Sequence, residues 1–550
     1  MGNTTLIAGR RPTAASAGSW RPAPVRWWAR PGPLLVLALP MLVGAIRLAA
    51  HLTDDFWSYG DLAVIELCVR NALRGHQLVG PYSRFGWDHP GPALFYLLAP
   101  VYRLGGSDTR ALFLSTWLVN GAALAAVLTV IRRRAGLTAA WRTAGALLVW
   151  LLCVSPVVVM SPWNPNAICL PFLLTLFLSA AAVAGSGWSL GGAALAGSVV
   201  VQSHIGTAPV VAVLVGAGAA GWLATGWRAP GRHVGVRSRR FLLGMTGLLL
   251  VGGALWGPPV WEQVTRDPGN MERTARFFRD GPPPGIPTHH SLADAAGTVA
   301  RQVSAVPLTR DASGELGTAG PGRQAVSTAW LLAAVGCAVL GWRARHPFAF
   351  ACGFLAAAAG VVTVVAATRV ADGLVPYLFV FTTTLPVAVV TGFGALAGPA
   401  RWRGLNSRLT RVTSTAVMAV VAVAALASTA MVARAATEPE PSSVDTAVAS
   451  RLAGQALEGA GIRRVMVRET RHLFWPVATG VMAALERQGY QVTVDPLLVS
   501  LVGDAWTPTG REQAEVIVGQ FDDPMPPGAT DPAAPAHLLG RSGSIGVWWR

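Results

Sequence analysis

Residues 110–134 read RALFLSTWLVNGAALAAVLTVIRRR, one apolar run that closes on three consecutive arginines, Arg132, Arg133 and Arg134. A helix needs roughly 20 apolar residues to cross a bilayer, because in hydrocarbon every backbone amide must find its partner inside the segment. This run meets that length. Its basic end marks the cytoplasmic side, where arginine and lysine concentrate in short loops.

Working outward, similar runs recur at about 33–51, 138–157, 167–184, 188–204, 208–226, 241–257, 326–342, 347–367, 373–397 and 412–434, which predicts about eleven spanning helices. Composition agrees: 52% of the 550 residues are hydrophobic and only 13% are charged, far from the usage of a soluble domain. The formal net charge of +17 does not point to a nucleic-acid partner, because the basic residues sit in short loops between the apolar runs and form no single patch. Every basic residue counted in that charge is arginine and none is lysine, so an arginine here carries no special meaning as a phosphate reader.

The basic loops orient the chain. Arg10 to Arg30, Arg132 to Arg134 with Arg142, Arg228 to Arg240, Arg343 with Arg345, and Arg401 to Arg411 all fall on one side if the short apolar piece Gly91 to Leu104 does not cross. We expect that piece to be re-entrant or to lie at the interface. The acids agree with this arrangement, since all 27 fall outside the predicted spans and the cytoplasmic loops. The first apolar run, preceded by arginines, reads as a retained helix rather than a cleaved signal peptide. The expected layout is a cytoplasmic basic N-terminus (1–32), a multi-span domain (33–434) with large outer loops at 52–109 and 258–325, and an extracytoplasmic domain (435–550), all in the plasma membrane.

The last region alternates helix-like pieces (Val444 to Leu457, Trp475 to Gln488) with strand-like ones (Arg464 to Val467, Gln491 to Val494, Ser544 to Trp549), which predicts a small α/β domain. It has no GxGxxG and no P-loop, so no nucleotide site is expected. The five cysteines show no metal-ligand spacing and fall mostly in apolar runs, which argues against a disulfide framework.

The chemistry concentrates in the first outer loop, with Asp54-Asp55-Phe-Trp57-Ser-Tyr59-Gly-Asp61 and Glu66, then Gly80-Pro-Tyr-Ser-Arg84-Phe-Gly-Trp87-Asp88-His89-Pro-Gly-Pro. Carboxylates, a guanidinium, an imidazole and three aromatics stand beside apolar helices. Such a set suits an amphiphile, with aromatic rings at headgroup depth, cations on a phosphate and a carboxylate to take a hydroxyl proton. A solvated helix resting on the membrane is the competing reading of the same residues. Outside the loop, Asn164 in a tight Trp-Asn-Pro-Asn turn, His204 at the end of a predicted span, and Glu262, Gln263 and Asn270 are candidate substrate contacts. Each has a structural alternative: a turn former, an interhelical hydrogen bond, a loop-ordering group.

These residues resemble the GT-C superfamily of membrane glycosyltransferases, including the protein mannosyltransferases and aminoarabinose transferases. The likeness lies in the order of first span, acidic outer loop, His89-Pro-Gly-Pro element and short apolar helix. The strings Gly60-Asp-Leu-Ala, Trp163-Asn-Pro-Asn, Gln202-Ser-His-Ile-Gly and Pro268-Gly-Asn also resemble uncharacterised actinobacterial members of that group. The resemblance covers roughly residues 33–400 in layout. It implies transfer of a sugar from a polyprenyl-phosphate donor to a glycan or protein acceptor at the outer membrane face. It also implies an acid of loop one that acts as general base or helps place a divalent metal such as magnesium or manganese. By position Asp61 takes that role, with Glu66, Asp54 and Asp55 as alternatives because the adjacent acid pair of many relatives is absent. Arg84, His89 and Arg369 are then candidates for the donor phosphate, and Trp57, Tyr59, Trp87 and Asp88 for contacts to substrate. A lipid or polysaccharide transporter is the rival reading, although such proteins place ionisable residues at the midplane and show repeated halves, neither of which is seen. A non-catalytic envelope protein is a third.

Overall fold

A computed structural model describes residues 32–228, 239–308, 319–397, 407–525 and 535–550. In chain order the helices are α1 (Gly32–Ala50), α2 (Gly60–Leu73), α3 (Ala93–Leu104), α4 (Thr109–Val154), α5 (Pro156–Met160), α6 (Asn164–Ala167), α7 (Cys169–Val183), α8 (Gly187–Ser203), α9 (Ala208–Arg228) and α10 (Arg239–Thr265). They continue with α11 (Asn270–Asp280), α12 (Leu292–Val303), α13 (Pro321–Arg343), α14 (Pro347–Ala367), α15 (Leu385–Leu396), α16 (Ser407–Ala435), α17 (Val444–Gly459), α18 (Trp475–Arg487) and α19 (Pro496–Val502).

The protein is an α-helical multi-pass membrane protein. Among the described residues, eight helical stretches are long and apolar enough to cross a membrane, and α4 is the longest at 46 residues. At 1.5 Å per residue α4 would reach about 69 Å, twice a hydrocarbon core, so it must turn back on itself. It does so at Gly136, whose φ of 86° and ψ of −178° interrupt the helix. The two runs expected at 110–131 and 138–157 are accordingly two helices that meet at this break, and the second ends earlier, at Val154. The Asp108 carboxylate caps its first turn by accepting the Arg110 N–H at 3.0 Å.

The run expected at 373–397 also differs. It begins as a nine-residue 3-10 helix, Pro376–Thr384, before becoming α15. The threonines explain this: the Thr382 and Thr384 hydroxyls donate to the Phe379 and Phe381 carbonyls, both at 2.7 Å, which favours the tighter winding. The apolar piece at 91–104 forms α3, whose 12 residues span about 18 Å and cannot cross. Glu262, expected in a loop, lies in the last turns of α10.

The C-terminal region folds as the expected small α/β unit, with β1 (Arg464–Glu469), β2 (Gln491–Val494), β3 (Ala514–Gln520), β4 (His537–Ser542) and β5 (Ile545–Trp549). The sheet order is β2-β1-β3-β5-β4. The first three strands are parallel, and β5 and β4 complete the sheet antiparallel. Strands β3 and β4 escaped the sequence reading. Of the two, β3 is buried along most of its length, and its apolar stretch Val516–Val518 lacks the alternation that marks a half-exposed strand.

Helices α2 and α18 pack together and join this unit to the bundle. Loop one is pinned on the other side by Gln202, which accepts the Ala93 N–H at 3.3 Å and donates to the Leu255 carbonyl at 2.9 Å. Gly80 lies so close that an added Cβ would stand 2.6 Å from the Gln202 carbonyl, so only glycine fits there.

Candidate functional site

Asp61 lies in the first turn of α2, at the end of the bundle that carries the C-terminal unit. The turn is set by Gly60, whose φ of 57° is strained for any residue with a side chain. The Tyr82 hydroxyl donates to Asp61 Oδ1 at 2.6 Å, and the Trp163 side chain adds a second hydrogen bond. Burial holds the Asp61 carboxyl above the usual carboxylate range, and these two hydrogen bonds only partly offset it. A carboxylate so placed is a stronger base than one in water.

The surrounding groups come from distant parts of the chain. Trp163, on the short turn before α6, packs its ring 4.7 Å from Tyr377 at the start of the 3-10 helix. Its neighbour Ser161 donates to Glu440 Oε1 at 2.6 Å. Burial raises the Glu440 carboxyl, the Ser161 hydrogen bond opposes that, and the charge on Asp61 reinforces it. Arg84 pairs with Asp372 at 2.9 Å with both side chains about half exposed. Its charge is felt at both Tyr82 and Tyr377, which places the guanidinium beside this corner. Arg369, three residues before Asp372, is exposed beyond the end of α14. Tyr59 is also exposed, one residue before α2.

Other expected residues fall elsewhere. Glu66 is fully buried, accepts hydrogen bonds from Ser58, Tyr102 and Thr109, and pairs with Arg487 of α18 at 2.8 and 2.9 Å. All its acceptor positions face donors, which closes it to a substrate hydroxyl. Asp55 and Trp57 face the C-terminal unit: Arg451 pairs with Asp55 at 3.1 Å and lies over the Trp57 ring. Asp54 pairs with His51 at 2.7 Å near the surface.

A second polar network holds Asp88. Asn270 accepts the Asp88 N–H at 2.7 Å and donates to its carbonyl at 2.9 Å, while Glu262 accepts the Asn270 N–H. Gln263 accepts the Glu272 N–H, so it orders the start of α11. Burial pushes the Asp88 carboxyl up to about 7; Arg273 pulls it down, and Glu262 and Asp504 push it further up. His89 accepts the Ile205 N–H on Nδ1 at 3.3 Å and packs against His204 and Trp87. Burial, helped by His204, holds its pKa well below the usual imidazole value, so it stays neutral. His204 reaches the Leu378 carbonyl at 3.3 Å, and Asn164 donates to the Ser203 carbonyl at 2.9 Å; both tie elements together.

The sequence reading missed Tyr82, Trp163, Tyr377 and Glu440 as members of the Asp61 corner. Tyr82 and Trp163 did lie within the quoted motif strings, and that proximity was the available signal. Tyr377 and Glu440 carried none, because only the fold brings them near. Among the described residues, no three His, Cys, Asp or Glu side chains are grouped so as to hold a metal ion.

No protein-family profile matches the chain, and no curated protein matches it in sequence. In structure it is similar to ArnT from Cupriavidus metallidurans bound to undecaprenyl phosphate, with a TM-score of 0.57 at 14% identity, covering 94% of this chain and 97% of that one. The apo state of ArnT gives a TM-score of 0.51 at 14% identity over 95% and 98% of the two chains. The likeness extends through nearly the whole of both proteins, C-terminal unit included, and shows that the fold is the GT-C-like membrane fold.

Proposed function

We propose that the protein is a membrane glycosyltransferase that moves a sugar from a polyprenyl-phosphate donor to an acceptor hydroxyl at the outer face of the plasma membrane. The observation that carries this reading is the placement of Asp61. It is a half-buried carboxylate with a raised pKa, in a fold shared with a protein that binds undecaprenyl phosphate. Such a group is useful as a proton acceptor and costly as mere decoration.

In the proposed reaction the acceptor O–H gives its proton to Asp61 as its oxygen forms a bond to the anomeric carbon. The bond from that carbon to the phosphate oxygen breaks, and its electron pair leaves with the lipid phosphate. Tyr82 and Trp163 orient the carboxylate through their hydrogen bonds. Arg84 and Arg369 supply positive charge to the departing phosphate. His89 is excluded from that role because it is neutral and its Nδ1 is already engaged. Glu66 is assigned to holding α18 rather than to chemistry.

The reading is tested by mass spectrometry of lipid-linked sugars and envelope glycans in cells with and without the gene. It expects one polyprenyl-phosphate sugar to accumulate and one glycan linkage to vanish together when the gene is removed. Unchanged profiles in both pools would overturn it.

A further inference from the structure

The parallel half of the C-terminal sheet runs β2-β1-β3, so the chain leaves β1 through α18 to one side and later returns to form β3 on the other. In open α/β sheets, ligands bind outside the carboxyl ends of the strands where the strand order reverses. Here that point lies between β1 and β3, and its rim is built from polar side chains. Thr470 donates its N–H to the Val518 carbonyl at 3.0 Å and its hydroxyl to Asp523 at 2.9 Å. Arg471 reaches Asp523 at 2.9 Å, and His472 meets Glu469 Oε1 at 3.0 Å. The other Glu469 oxygen is buried with no hydrogen-bond partner among the described residues, although its side chain is only 3% exposed. Arg471 and His472 are by contrast largely exposed, at 61% and 63%.

This rim lies against the Asp61 corner. The connection leaving β1 runs through His472–Phe474 directly into Trp475, the first residue of α18. The half-buried Trp475 ring is 6.1 Å from that of Tyr82, whose hydroxyl holds Asp61. Gly60, next to Asp61, packs on Trp475 and Pro476.

We propose that this edge is the acceptor subsite, where a hydroxyl-rich glycan stacks on Trp475 and hydrogen-bonds to the exposed Arg471 and His472, the latter held by the buried Glu469, while presenting one hydroxyl to Asp61. The ligand class follows from the groups. Donors and acceptors of both signs beside an aromatic face suit a neutral polyol. A nucleotide would need a glycine-rich turn and free N–H groups at the helix start, whereas the 470–474 connection has no glycine and Pro476 removes a donor. The inference rests on the reading of Asp61 as base, but it is tested separately from it.

The test is saturation-transfer NMR on the full chain in detergent, with methyl α-mannopyranoside, methyl α-galactopyranoside, methyl arabinofuranoside and trehalose as probes. At least one probe should bind, with affinity falling about tenfold in Trp475→Ala and clearly in His472→Ala. Trp475→Phe, which keeps a ring, should retain binding, and this separates stacking from loss of fold. The readout is binding and not transfer, so loss of the base reading leaves this result standing. Failure of every probe to bind, or equal binding by the parent, Trp475→Ala and His472→Ala, would remove the subsite.

Discussion

Arg487 Nη1 stands 2.8 Å from one oxygen of Glu66 and 2.9 Å from the other, although the two residues are 421 positions apart. The pair fastens α18 to α2, the helix whose first turn holds Asp61. Glu66 is fully buried, so breaking the pair on one side strands a charge.

From this contact, Glu66→Ala is expected to cost about 3–5 kcal/mol in stability. Replacing Glu66 by Gln and Arg487 by Met together should cost less than the two single changes combined, as a double-mutant cycle of thermal unfolding in detergent would register. The folded fraction of Glu66→Gln should still turn over. A folded, stable and inactive Glu66→Gln would return the catalytic role to that residue.

Tyr82 offers a prediction in pH. Its hydroxyl stabilises the charged form of Asp61, so removing it lets burial raise that carboxyl further. The base works only when deprotonated, so activity rises with pH through the Asp61 pKa. In Tyr82→Phe the acid limb of the kcat/KM profile should move to higher pH, while the alkaline plateau falls less. An acid limb left in place would mean that Tyr82 does not act on the titrating group.

Asp88 links pH to stability. Its carboxyl titrates at about 7 in the folded protein and at about 3.9 when unfolded. Between those values the folded state binds the extra proton, so this group lowers stability as pH rises from about 4 to 7. Asp88→Asn should therefore raise the thermal midpoint at pH 8 relative to the parent and leave it nearly level at pH 4. Arg273→Gln, which removes the favourable charge, should widen the parent's loss between the same two pH values. Equal midpoints for the parent and Asp88→Asn at both pH values would exclude the effect.

Arg84→Gln should raise the KM for the lipid donor more than it lowers kcat, and Arg369→Gln should add to it. Both effects should shrink as salt screens the partly exposed charges. Steady-state kinetics with a polyprenyl-phosphate sugar would separate the two parameters.

Much of the fold was legible because bilayer thickness and hydrophobic run length are both one-dimensional. Each expected run from 33–51 to 412–434 falls on a helix, and the short piece at 91–104 became α3. The break between the runs at 110–131 and 138–157 falls at Gly136, as their separation implies, whereas local chemistry overrode length where hydroxyl back-bonding wound Pro376–Thr384 more tightly. The site was less legible, since residue type does not reveal which way a side chain faces. Asp61 and Glu66 lie five residues apart on one helix, yet one meets Tyr82 and the other Arg487. The partners that separate them come from α18, the 161–163 turn and Glu440, and no sequence spacing connects those segments.

The most direct measurement of the central claim is sugar transfer by purified Asp61→Asn, assayed with a polyprenyl-phosphate donor and extracted envelope acceptor beside the parent protein. The change removes a proton-accepting oxygen and little else, so we expect the variant to be folded and to lose about 100- to 10,000-fold in rate. Transfer at the parent's rate would contradict the assignment of Asp61 as base.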